Sequence, residues 1–245
     1  MAKVETVAQI YQRALERKGG EAQLQLLLGQ KPLSTTALKQ HSDNDWLAAF
    51  TKKVFQSGFV WRVVEQKWPG FCEVFFDFSV DKMLLMSDEM LANKAQDTRI
   101  IRNGNKVMTI RENALMIHDL AREHGSFSAM VAQWPTENMI GLWQLLKQRG
   151  ARLGGNTGPY ALRAMGKDTF LLSHDVEAYL RAYQVIDGGL SSKSSLAKIQ
   201  AQFNQWQQES GLSLSQLSRL VAFSTGDNYV GLAAEMPESD GIETA

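Results

Sequence analysis

Arg152 to Asp175 reads RLGGNTGPYALRAMGKDTFLLSHD. A glycine-rich turn runs into a stretch with helical spacing, and a lone acidic residue, Asp175, follows. The glycines of Leu153-Gly154-Gly155-Asn156-Thr157-Gly158-Pro159 permit positive φ and let backbone come close to a ligand. Pro159 suits a first helical turn, so a helix is expected at or near it. N–H groups at a helix start attract anions, phosphate above all. Two readings stand. In one, a helix–hairpin–helix holds a nucleic-acid phosphate and aims the Asp175 carboxylate at the adjacent sugar. In the other, the turn is a glycine-capped linker, and Asp175 is a first-turn charge that suits the helix dipole after a Ser173 cap.

The neighbouring charge favours phosphate. No Asp or Glu occurs from Asn138 to Lys167, whereas Lys147, Arg149, Arg152, Arg163 and Lys167 all fall there. The end of the chain, from Gly231, carries Glu235, Glu238, Asp240 and Glu243 and no base. The formal net charge of zero is therefore the sum of a basic centre and an acidic end.

Working outward, the rest of the chain reads as helix. Residues Val7, Ile10, Tyr11 and Leu15 share one face, and Val107, Ile110, Ala114 and Ile117 another. Caps recur throughout: Thr35 or Thr36, Asp43 before a helix starting near Asp45, Ser79, Ser87 and Ser173. Trp68-Pro69-Gly70 is expected to break the helix that starts at Phe59. The aromatic run Phe71 to Phe78 is read as helix plus turn rather than strand. With no sustained period-two alternation, the class is all-α. A hydrophobic content of 44% over 245 residues suits a globular chain. The expectation is a single helical domain over residues 1–230 and an acidic, disordered tail over 231–245. Cys72 is the sole cysteine, which excludes an internal disulfide and a multi-cysteine zinc site. His41, His118, His124 and His174 lack metal-ligand spacing. Neither a signal peptide nor a membrane span is visible, so a cytoplasmic monomer is expected.

Four stretches carry a family resemblance: SDNDW (Ser42 to Trp46), SGFVW (Ser57 to Trp61), IIRNGNKVMTIRENA (Ile100 to Ala114) and KQRGARLGGNTGPYALRAMG (Lys147 to Gly166). Together they resemble the DNA-3-methyladenine glycosylase I family of the helix–hairpin–helix DNA glycosylase superfamily. The resemblance implies a helix–hairpin–helix glycosylase fold with additional helices at both ends. It implies a DNA repair enzyme that flips an alkylated, 3-methyladenine-like base from duplex DNA and hydrolyses its N-glycosidic bond. On it, His41, Trp46, Lys53 and Trp61 line the base pocket, and Phe59 wedges into the duplex. Arg102, Arg152, Gly154, Gly155, Thr157 and Gly158 contact DNA. Asp175, in a DVEAYLR setting similar to that of endonuclease III, supports the cationic sugar as the catalytic carboxylate.

The departures from the pattern are informative. The family's structural zinc needs cysteines and histidines that this chain lacks, so zinc is not expected. No organic cofactor is implied, and a monovalent cation at the hairpin fits the superfamily. Lys53 aligns with the family's base-reading glutamate. A lysine cannot accept a hydrogen bond from a base amino group, and it repels a cationic base. Lys53 on a solvated helix face, and tryptophans serving as core, are the plain alternatives. At the level of function the alternatives are a non-catalytic DNA-binding protein of the same fold and a helical protein–protein scaffold.

Overall fold

The computed structural model describes residues 4–226. The acidic tail from Gly231 lies outside them. Among the described residues there are fourteen α-helices and no strand, as an all-α reading requires. In chain order they are α1 Val7–Lys18, α2 Glu21–Leu28, α3 Thr35–Leu38, α4 Asp43–Gln56, α5 Trp61–Val74, α6 Val80–Leu84 and α7 Asp88–Lys94. Then follow α8 Gly104–His124, α9 Phe127–Gln133, α10 Met139–Arg149, α11 Thr157–Ala164, α12 His174–Ala182, α13 Lys193–Ser210 and α14 Leu214–Phe223. Short 3-10 turns occupy Phe76–Phe78 and Thr136–Asn138. No helix of the described residues is long and apolar enough to cross a membrane.

The chain forms two compact units. The first takes the residues up to Pro32, Pro135–Ile140 and the residues from Asp168; the second takes Leu33–Trp134 and Gly141–Lys167. In the first unit α1 packs on α2, α13 and α14, and α14 also meets α12. Its core holds Ile10, Leu24, Phe170, Tyr179, Phe203 and Trp206. The rings of Phe170 and Phe203 lie nearly parallel, 4.3 Å apart. A half-buried carboxylate ties the start of the chain into this core. Glu5 pairs with Arg13 and accepts a 3.0 Å hydrogen bond from the Tyr179 hydroxyl. The Trp206 indole N–H donates to the Glu5 carbonyl at 3.2 Å.

In the second unit α8 is the central helix, packed on α4, α6, α7 and α9. Val107, Ile110, Ala114 and Ile117 form its buried stripe, as their spacing anticipates. Facing them are Trp46, Leu47, Phe50 and Val54 of α4. Each fully buried side chain of this size contributes about 1.5–3 kcal/mol.

Local signals explain most helix ends, with four corrections. Ser34, not Thr35 or Thr36, caps α3, its hydroxyl accepting from Ala37 N–H. Ser42, not Asp43, caps α4, in a capping box with Asp45. Helix α11 starts at Thr157, ahead of Pro159. Most consequentially, α5 runs through Trp68-Pro69-Gly70 to Val74. Proline inside a helix costs about 3 kcal/mol. Phe71, Val74 and the following Phe75 are buried, and at roughly 1.5–3 kcal/mol each their burial outweighs that cost. Gly70 is needed for packing, because a Cβ there would collide with the Arg99 carbonyl.

Candidate base site and nucleic-acid interface

The hairpin between α10 and α11 is built from backbone, and α8 braces it. Asn113 is fully buried and makes two bonds to one residue of the turn. Its Nδ2 donates to the Ala151 carbonyl at 3.1 Å, and its Oδ1 accepts from Ala151 N–H at 2.8 Å. Leu153 anchors the turn by burying its side chain, while exposed Arg152 adopts φ 57°. Gly155, at φ 59°, would point a Cβ into open space, so here the backbone conformation itself calls for glycine. Gly158 N–H donates to the Leu153 carbonyl at 3.2 Å, and a Cβ on Gly158 would stand 2.6 Å from that same oxygen. Thr157 opens α11, with its N–H on the Gly154 carbonyl at 3.3 Å. The turn therefore joins two helices with glycine at a left-handed position and at a close approach.

The basic residues around the turn are not equivalent. Arg149 is engaged with Glu123 at 2.8 Å. Lys167 is buried and donates to the Trp134 carbonyl at 2.6 Å, at the end of α9. Arg102 and Arg152 are exposed.

Two of the four residues expected to line the base pocket, Trp46 and His41, are joined in a polar chain. Trp46 is fully buried against Phe50 and Phe127, and its indole N–H donates to Ser128 Oγ at 2.6 Å. Ser128 in turn donates to the His41 carbonyl. His41 Nε2 lies 2.9 Å from the Met165 carbonyl, which can only accept, so Nε2 carries the proton. The chain spans α4, α9 and the end of α11.

The other two are in direct contact. The Lys53 ammonium lies 4.6 Å from the Trp61 ring centroid, in cation–π geometry. Trp61 remains 38% exposed, and its ring stands at 90° to Tyr160 of α11 at 6.2 Å. The ring thus sits beside the helix that the glycine turn opens. Lys53 Nζ donates to Gln56 Oε1 at 2.7 Å, and Gln56 Nε2 donates to Glu65 Oε1 at 3.1 Å. Glu65 Oε2 pairs with Lys52 at 2.7 Å. Burial, with the nearby Lys52 charge, pushes the Lys53 pKa below the usual lysine value.

Phe59 stacks on Phe55 at 6.3 Å and sits under the Lys106 ammonium, 4.9 Å from its centroid. It is partly covered, whereas its neighbour Val60 is largely exposed. Lys106 itself is only 7% exposed. Its ammonium donates to the Val54 carbonyl at 2.7 Å and the Phe55 carbonyl at 3.4 Å, closing the end of α4. Burial first, and then the Arg152 charge, lower its pKa. Nothing in the sequence pattern singles out Lys106 as a buried cap. Its place opposite the Val54 and Phe55 carbonyls is a tertiary fact.

Asp175 belongs to the first unit, in the opening turn of α12 after the Ser173 cap. Gly226 approaches it closely, and the Lys18 charge interacts with it. Among the described residues no group of three or more His, Cys, Asp or Glu is placed to hold a metal ion.

Residues 37–149, a little under half of the chain, match the methyladenine glycosylase family. No curated protein matches the sequence. Among solved structures, the 8-oxoguanine DNA glycosylase of Methanocaldococcus jannaschii is similar, with a TM-score of 0.52 and 17% identity over 87% of this chain and 92% of that one. A variant of 3-methyladenine DNA glycosylase I from Staphylococcus aureus gives a TM-score of 0.45 and 21% identity, over 60% of this chain and 88% of that one. The archaeal likeness shows a helical DNA glycosylase fold, and the family match falls on three of the four stretches that carry the resemblance in sequence and on the start of the fourth. Over residues 37–149 this chain is similar to the methyladenine glycosylase family.

Proposed function

We propose that this protein is a DNA repair glycosylase that flips a damaged base from duplex DNA and hydrolyses its N-glycosidic bond. The alkylated base of the family's namesake is the class from which this reading starts. One observation carries it: a half-exposed Trp61, edge-on to Tyr160 of the helix that follows the glycine turn. That pairing supports a stacking surface beside a phosphate-binding backbone, which base flipping needs. In this reading Arg102, Arg152 and the N–H groups from Gly154 to Gly158 hold the DNA backbone. Phe59 and its exposed neighbour Val60 fill the gap in the duplex, and the Asp175 carboxylate supports the cationic sugar. A monovalent cation fits the turn: the Leu153 and Gly154 carbonyls each accept one N–H and keep a second lone pair. The setting is the cytoplasm, with the protein acting as a monomer.

A second reading is a non-catalytic DNA-binding protein of the same fold. The observation in its favour is the Lys53 ammonium over Trp61, which covers part of the ring face where a base would stack.

The test is release of free base from duplex DNA damaged both by methylation and by nitrous-acid deamination, with wild type beside Asp175→Asn. Release by wild type and not by the variant supports the full reading. Release by both keeps the enzyme and removes Asp175 from its chemistry. Damage-dependent binding with no release by either establishes the non-catalytic binder.

A further inference from the structure

Lys53 is held in an unusual way for a surface-helix lysine. One of its three N–H groups goes to Gln56 Oε1 at 2.7 Å. The other two have no hydrogen-bond partner among the described residues, and the ammonium rests 4.6 Å from the Trp61 centroid. Gln56 is itself oriented by Glu65, since its Nε2 must donate to that carboxylate and its Oε1 therefore faces Lys53. Glu65 is held by Lys52, whose ammonium sits 5.0 Å from the Trp68 ring. The result is a partly desolvated donor over part of the exposed Trp61 face.

A base stacked on that face meets an ammonium with two spare N–H groups. A carbonyl oxygen can accept from it; an exocyclic amine cannot. A base that already carries positive charge is repelled, and more strongly here than in water because the site is partly buried. We propose that Lys53 is the base-reading donor of this site, and that the site selects a neutral base presenting a carbonyl oxygen. The inference rests on the glycosylase reading for the flipped base, and it replaces the cationic methylated base with a neutral, carbonyl-bearing one. The lowered pKa of Lys53 fits a donor kept short of water.

The test uses binding, so that it does not depend on turnover. Three duplexes differ at one nucleotide: undamaged, hypoxanthine, and 2′-fluoro-7-methylguanine, which carries a stable positive charge. Gel-shift affinities are measured for wild type, Lys53→Arg and Lys53→Gln, after thermal melts show that each is folded. Wild type is expected to bind hypoxanthine at least about tenfold tighter than the cationic base. Lys53→Arg should keep that order, and Lys53→Gln should reduce it to about threefold or less. No preference for hypoxanthine over undamaged DNA in wild type overturns the proposal. So does an unchanged preference in Lys53→Gln. Base release from the hypoxanthine duplex is read separately: intact preference with no release would sink the enzyme reading and leave the assignment of Lys53 standing.

Discussion

Lys106 shows what a single residue does in this fold. It spends a charged side chain on the last carbonyls of α4, and it fixes the loop that carries Gly58 and Phe59. Lys106→Met leaves the Val54 carbonyl without that donor in a buried place. The expected loss is about 1–3 kcal/mol in urea denaturation. The pH dependence has a definite sign. The Lys106 pKa is lowered in the folded state, so the unfolded chain binds more protons between that value and the ordinary lysine value of 10.5. Stability from this residue therefore rises with pH through that window. The deficit of Lys106→Met relative to wild type should widen from neutral pH toward pH 10; a deficit that shrinks would mean that the ammonium form is the better cap. That Asn113 grips Ala151 of the hairpin was not legible in the sequence, because the two are distant along the chain.

At the scale of elements, caps were more legible than breaks. Ser79, Ser87 and Ser173 act where the sequence puts them, since an N-cap needs only its own side chain and the next turn. Trp68-Pro69-Gly70 misleads for the opposite reason: the burial of Phe71, Val74 and Phe75 carries α5 through it, and burial is not local. Pro69→Ala should therefore stabilise the protein, by about 1–3 kcal/mol, by restoring an intrahelical hydrogen bond. Unchanged or lower stability in chemical denaturation would show that the helix is built around the proline. Just beyond α5, Phe76, Asp77 and Phe78 all adopt positive φ, at 53°, 51° and 57°. No glycine announces this turn. Phe78, buried and stacked 5.1 Å from Trp68, helps hold it. In the hairpin the glycines are legible for a physical reason, because Gly155 and Gly158 meet constraints that no other residue satisfies without strain. Gly158→Ala forces a Cβ toward the Leu153 carbonyl, with an expected cost of about 1–3 kcal/mol. It should weaken DNA binding as well, which filter binding at fixed salt would detect.

Over the whole molecule, the helical class and the resemblance to the methyladenine glycosylases could be read from the sequence, since they rest on periodicity and on short motifs. The division into two compact units could not. It depends on which distant segments pack together: the start of the chain joins Pro135–Ile140 and the residues from Asp168. Glu5 is the fastening point of the first unit. Burial alone would raise its pKa, but hydrogen bonds from Arg13, Tyr183 and Tyr179 outweigh that and lower it. A lowered carboxyl pKa contributes stability above the ordinary glutamate value of 4.5, and the contribution is lost as pH falls through the folded value. Glu5→Gln should therefore lower the melting temperature at pH 7 and lose most of that difference in strong acid. The functional claim, in turn, rests on one surface of the second unit, Trp61 beside Tyr160. Trp61 is partly exposed, so its removal can be made without emptying the core. The decisive measurement is single-turnover release of free base from damaged duplex DNA by Trp61→Ala beside wild type. Loss of one stacking partner is worth about 1–3 kcal/mol, so release should fall roughly tenfold to a hundredfold while the protein stays folded. Release at the wild-type rate would contradict the account, because the base would then be held somewhere other than this ring.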